Sequence, residues 1–64
     1  MGQTVQFDRG YYAQQSHSAA PWMIRNVEDR VVGHYTVAGG VSWGMVMPEA
    51  DKDWLLALLK QKLG

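Results

Sequence analysis

Arg30-Val31-Val32-Gly33-His34-Tyr35-Thr36-Val37, then Ala38-Gly39-Gly40, then Val41-Ser42-Trp43-Gly44-Met45-Val46-Met47 is the stretch that decides the fold. Both arms are rich in β-branched and aromatic residues, and glycines separate them, which is the pattern of a hairpin. Register can be derived from the apolar positions. A two-residue loop at Gly39-Gly40 would set Val37 against Ser42 and Thr36 against Trp43, mixing polar and apolar at each rung. A three-residue loop, Ala38 to Gly40, sets Val37 against Val41, Tyr35 against Trp43 and Val31 against Met47. Only that register gathers the apolar side chains on one face, and a three-residue loop with a left-handed glycine is a common hairpin connection.

Upstream, Trp22-Met23-Ile24-Arg25-Asn26 reads as a strand, and Glu28-Asp29 as the turn into Arg30 to Val37. That turn pairs Trp22 with Tyr35 and Ile24 with Gly33. The expected inner face is Trp22, Ile24, Val31, Tyr35, Val37, Val41, Trp43, Met45 and Met47. Gly33 falls among them, opposite Met45, where a glycine leaves room for a large neighbour or marks a bulge. The expected outer face carries Met23, Arg25, Arg30, Val32, His34, Thr36, Ser42, Gly44 and Val46. It is mixed, mildly basic and free of acid, and suits either solvent or an acidic protein or DNA partner.

Further out, Thr4 to Phe7 alternates polar and apolar as a short edge strand would, and Asp8-Arg9-Gly10 is a turn. Tyr11 to Pro21 shows no period and reads as a loop. Its Tyr11-Tyr12-Ala13-Gln14-Gln15-Ser16-His17-Ser18 run has the tyrosine, serine and small-polar composition of adaptable recognition loops. Downstream, Pro48 suits a first helical position, where a missing N–H costs nothing. Glu49, Asp51 and Asp53 favour the positive end of the helix dipole, and Lys60 and Lys62 the negative end. With Trp54 at zero on a helical wheel, Leu58, Leu55, Leu59, Leu63 and Leu56 extend the apolar arc to about 200°, wider than the usual stripe. One three-stranded layer cannot cover that arc. Either Phe7, Tyr11 or Tyr12 folds back over Leu56 and Leu63, or a second chain covers them as a homodimer or partner. The expected fold class is α+β: an antiparallel β-meander of three strands, or four with Thr4–Phe7, packed on one C-terminal α-helix. Residues 1–21 form an N-terminal segment, 22–47 the sheet and 48–63 the helix of a single domain.

The chain has 64 residues, and a domain of that size buries only about 60% of its unfolded surface. With no cysteine, neither disulfides nor thiolate metal sites can reinforce it. The six basic and six acidic residues cancel, with three of each sign in each half. Nucleic-acid binding, which draws its non-specific affinity from phosphate neutralisation, would need a local patch. No basic segment followed by an apolar stretch opens the chain, and the longest apolar run, Trp54 to Leu59, is far shorter than the ~20 residues of a membrane span. A cytoplasmic protein without a membrane segment is expected.

The chemistry points away from catalysis. His17 and His34 are the only histidines, and no spacing of carboxylates completes a set of three or four metal ligands around them. Ser16-His17-Ser18 sets hydroxyls beside an imidazole, but sequence neighbours rarely meet in nucleophile–base geometry. Gly39-Gly40 lacks the pattern of a phosphate loop. No catalytic residue, metal or cofactor is expected.

Trp22-Met23-Ile24-Arg25, together with Pro48-Glu49-Ala50 and Trp54, resembles the cell division activator CedA family, over roughly Trp22 to Gln61. The resemblance implies a small three-stranded sheet with a C-terminal helix and an association with DNA and RNA polymerase. This sequence departs from that family in having no basic N-terminal extension and no net positive charge. The leading expectation is a non-enzymatic regulatory or inhibitory module that binds a larger protein, of the kind phage and mobile elements direct at host machinery or defence systems. The alternative is a CedA-like transcription or cell-division regulator. The expected partner-binding residues are Tyr11, Tyr12, Arg25, Arg30, His34, Leu56 and Leu63, with a homodimer through the helix as one form of partnership.

Overall fold

The computed structural model describes residues 2–44 and 47–64. Over these residues it is an α+β fold: one antiparallel sheet of five strands followed by one C-terminal helix. The strands are β1 (Gln3–Gln6), β2 (Tyr12–Gln15), β3 (Trp22–Arg25), β4 (Val31–Thr36) and β5 (Gly40–Trp43), in spatial order β1-β2-β3-β4-β5, and α1 spans Glu49–Leu63. The sheet has five strands, not three or four, because the expected loop at Tyr11–Pro21 contains β2. That strand pairs with β1 on one side and β3 on the other. The N-terminal segment is therefore part of the sheet.

The β3–β4 reversal matches its expected pairing, with Trp22 opposite Tyr35 and Ile24 opposite Gly33. Asp29 takes a left-handed φ of 65°, and Asn26 Oδ1 accepts the N–H groups of Glu28 and Arg30 at 3.0 Å each. An Asn side chain standing in for backbone in this way is a common turn device. The pairing then shifts between Ile24 and Arg25, from Ile24↔Gly33 to Arg25↔Val31. Val32 is the extra residue, as in a β-bulge. The bulge breaks the alternation, so Val32 is fully buried where strict alternation sets it outside, and Val31 is only half-buried.

The β4–β5 register differs from expectation by two residues. Tyr35 pairs with Val41 and Gly33 with Trp43, because the three-residue connection is Val37–Gly39 rather than Ala38–Gly40. Thr36 Oγ1 accepts the Gly39 N–H at 2.9 Å and starts the reversal one residue early. Gly40 carries the positive φ, 77°. Val37 consequently lies in the turn and is 65% exposed instead of buried. The shift brings the Trp43 ring over Gly33: a Cβ there would lie 2.7 Å from Trp43 Cε3 and 2.9 Å from the Ser42 carbonyl oxygen. Gly33 thus makes room for a large neighbour, and that neighbour is Trp43 rather than Met45. Met45 and Val46 lie outside the described residues. Met47 is buried, but in the connection after β5 rather than on a strand paired with Val31.

The helix begins at Glu49, one residue after the expected start at Pro48, which is extended and precedes the first turn. Leu55 and Leu59 are fully buried, each contributing about 1.5–3 kcal/mol by transfer from water. They share one core cluster with Phe7, Tyr11, Ala13, Trp22, Ile24, Val32 and Tyr35. Leu56, Leu58 and Leu63 pack against that cluster half-buried. The wide leucine arc is met by a five-stranded sheet plus Phe7 and Tyr11, so much of its cover comes from the chain itself. No helix among the described residues is long and apolar enough to cross a membrane.

Candidate functional site

Two rows of side chains cross the sheet. The inner row runs Val5–Ala13–Ile24–Gly33–Trp43 and the outer row Thr4–Gln14–Met23–His34–Ser42, each continuous through all four strand pairings. Successive residues of a strand point to opposite faces. The positions that send Ala13 and Ile24 into the core, at 0% exposure each, therefore send Gln14, Met23, Tyr12 and Arg25 outward. The single helix packs on the inner row, and the outer row faces away from it. Tyr12 and Arg25 are cross-strand partners beside that row.

Arg25 is held in place on the outer face. Its Nε donates to Gln14 Oε1 at 3.1 Å, and one terminal nitrogen donates to the Asp29 carbonyl oxygen at 2.9 Å. A trough of about 450 Å³ runs from Arg25 past Met23, Gln14 and Thr4 to the β2–β3 loop at Ala20 and Pro21. The loop end is closed by Gln15, whose Nε2 donates to the Ala20 carbonyl oxygen at 2.9 Å. Among the described residues Arg25 is the one charged side chain lining the trough.

The seven residues singled out in the sequence separate into three places. Tyr12 and Arg25 pair on the outer face, which His34 shares as the partner of Met23. Arg30 is exposed in the β3–β4 turn, immediately before β4. Tyr11, Leu56 and Leu63 lie on the helix side: Tyr11 is 6% exposed within the core, and the two leucines pack against it. The Tyr11 hydroxyl donates to Asp51 Oδ2 at 2.7 Å, and Arg9 binds Asp51 Oδ1 at the same distance. The Arg9 guanidinium lies 4.1 Å from the centroid of the Trp54 ring. Burial first, then the hydrogen bond and negative charge of Asp51, push the Tyr11 hydroxyl up to about 12 from its ordinary 10.0. This cluster ties the β1–β2 turn to the first turns of α1, which is a folding role.

Thr4 and Gln14 complete the outer face and were not anticipated. The signal was present in Tyr11-Tyr12-Ala13-Gln14, where buried Tyr11 and Ala13 alternate with outward Tyr12 and Gln14. Among the described residues no group of three or more His, Cys, Asp or Glu side chains is placed to hold a metal ion. No family model, curated protein or solved structure matches the chain.

Proposed function

We propose that this protein is a non-enzymatic binding module that docks the open face of its sheet on a larger protein. The observation that carries this reading is the outer row Thr4–Gln14–Met23–His34–Ser42 with Arg25 beside it: five strands wide, uncovered by the helix and without an acidic side chain. An uncovered sheet face of hydroxyl, amide, thioether and cationic groups offers many hydrogen-bonding positions and electrostatic complementarity to an acidic partner. The half-buried Met23 at its centre supplies an adaptable apolar contact. The raised Tyr11 hydroxyl is accounted for by its burial and by Asp51 on the opposite side of the sheet, so it supports no catalytic reading of the face. A regulatory or inhibitory role follows if the docked surface is one the partner needs for its own work.

A nucleic-acid reading, in line with the CedA resemblance, draws on the same face, since Tyr12, His34 and Arg25 are residues that stack on or contact nucleotides. The balanced charge, six of each sign, weighs against it, because phosphate contacts supply most non-specific affinity.

The deciding experiment is affinity capture from host lysate with three baits: the wild type, His34→Glu on the outer face and Leu56→Asp on the helix. The expected result is one stoichiometric protein retained by the wild type, lost with His34→Glu and kept by folded Leu56→Asp. Retention of nucleic acid with steep salt dependence would replace this reading with the second. Capture that survives His34→Glu and fails with Leu56→Asp would move the binding surface to the helix.

A further inference from the structure

We infer that the trough on the outer face is a subsite for an extended acidic peptide, with a carboxylate of the peptide at Arg25 and an apolar side chain over Ala20 and Pro21. The inference rests on the protein-binding reading above and names the kind of segment the partner presents. Three observations support it.

The first is charge. Among the described residues Arg25 is the lone ionic side chain of the lining, and no Asp or Glu side chain shares the trough. A single guanidinium complements one carboxylate, whereas a phosphodiester chain would call for several cations along its path. The second is preorganisation. Gln14 Oε1 and the Asp29 carbonyl each take one donor of Arg25, which fixes the side chain while leaving the rest of its fork unused. A guanidinium presents donors in a planar fork that matches a carboxylate. The ordering that a long flexible side chain usually undergoes on binding is already done. The third is shape. The trough follows the strand direction from Arg25 through Met23 to Pro21, and four residues of extended chain cover about 13 Å at ~3.3 Å each. A pentapeptide in β conformation therefore reaches both ends. Alternate side chains of such a peptide point the same way, so the acidic residue and the apolar residue are expected four apart, with a small residue between them over Met23.

The test uses the intact folded protein and a displayed library of random heptapeptides. Wild-type protein should enrich peptides with Asp or Glu four positions from Leu, Ile, Val or Met. Arg25→Glu should reverse the preference to Lys or Arg at the same position, and Arg25→Ala should weaken a selected acidic peptide about tenfold or more in fluorescence anisotropy, as expected for loss of a charge-assisted hydrogen bond. Met23→Glu, which sets an acid on the floor and leaves the Arg25 residue itself unchanged, should abolish binding of the same peptide while leaving the far-ultraviolet circular dichroism unchanged. Absence of any acidic preference on the wild type overturns the inference. So does an unchanged preference in a folded Arg25→Glu variant. If lysate capture still depends on His34 in either case, the open face remains the docking surface and only the acidic-peptide subsite is lost.

Discussion

Removing the Tyr11 hydroxyl tests how the first hairpin is held to the helix. Tyr11→Phe keeps the ring, its place in the core and its tilted packing on Trp54 at 6.1 Å between centroids. It deletes only the 2.7 Å hydrogen bond to Asp51 Oδ2. A hydrogen bond to a charged group contributes about 1.5–3 kcal/mol. Asp51 keeps Arg9 at 2.7 Å, and its side chain retains 21% exposure, so the carboxylate is not orphaned. The lower figure, about 1.5 kcal/mol, is therefore expected. At roughly 0.05–0.15 kcal/mol per residue the whole domain holds about 3–10 kcal/mol, and the loss should lower Tm by about 6–12 °C. The pH dependence supplies a second check. Folding raises the Tyr11 hydroxyl from 10.0 to about 12, so its contribution is complete below pH 10 and is lost as pH rises through 12. Urea unfolding of both proteins from about pH 7 to about pH 11.5 should show a gap that is constant up to about pH 9 and then narrows as the wild type loses stability faster than the variant. An equally stable Phe variant at neutral pH, or a gap that widens in alkali, would refute the assignment.

Arg9 has a φ of 62°, a region that costs a non-glycine residue about 1–2 kcal/mol. Arg9→Ala keeps that cost and loses the partly exposed ion pair and the Trp54 contact, whereas Arg9→Gly relieves the backbone; thermal melts should rank Gly above Ala, and the reverse order would show the turn is unstrained. Gly33→Ala sets a Cβ against Trp43 and the Ser42 carbonyl and should cost about 1–3 kcal/mol, with a changed near-ultraviolet tryptophan signal; an unchanged signal and Tm would mean the Trp43 ring does not lie over Gly33. Leu55→Ala and Leu59→Ala, at fully buried positions, should each cost about 2–5 kcal/mol and leave a marginal domain. Leu56→Ala, half-buried, should cost clearly less, and equal effects in urea titrations would overturn the helix orientation.

The parts of the fold that could be read in advance are those where one residue pattern allowed one arrangement. Trp22 and Ile24 could pair with Tyr35 and Gly33 in only one way once Asn26 to Arg30 formed the turn, and they do. The β4–β5 hairpin was different. Pairing Tyr35 with Trp43 or with Val41 keeps every side chain on the same face, because the two registers differ by two residues and the period of a strand is two. Hydrophobic pattern cannot separate such registers. The Thr36 hydroxyl and the missing side chain of Gly33 do, through a turn hydrogen bond and a ring packed where a Cβ would stand. The bulge at Val32 was hidden for a related reason. In Val31-Val32-Gly33 both valines are apolar and the glycine has no side chain, so the sequence carries no phase there. The strand in Tyr12–Gln15 was obscured by its polar outer half, and the place of Gln14 on the candidate face with it.

The content of the outer face is therefore not independent of the core. Among the described residues one helix on a five-stranded sheet leaves one face without a layer, and the β2 register decides which side chains occupy it. Ala13 pairs with both Val5 and Ile24 and is fully buried. A slip of β2 by one residue would exchange Ala13 for Tyr12 or Gln14 on the inner row. The core would then have to take a larger side chain, and Gln14 would leave the position where it holds Arg25. Ala13 is small where the space beneath the helix is filled, and that same fit keeps the Gln14–Arg25 pair facing outward. Enlarging Ala13 should therefore damage binding at the open face as well as stability, although its side chain lies on the other side of the sheet.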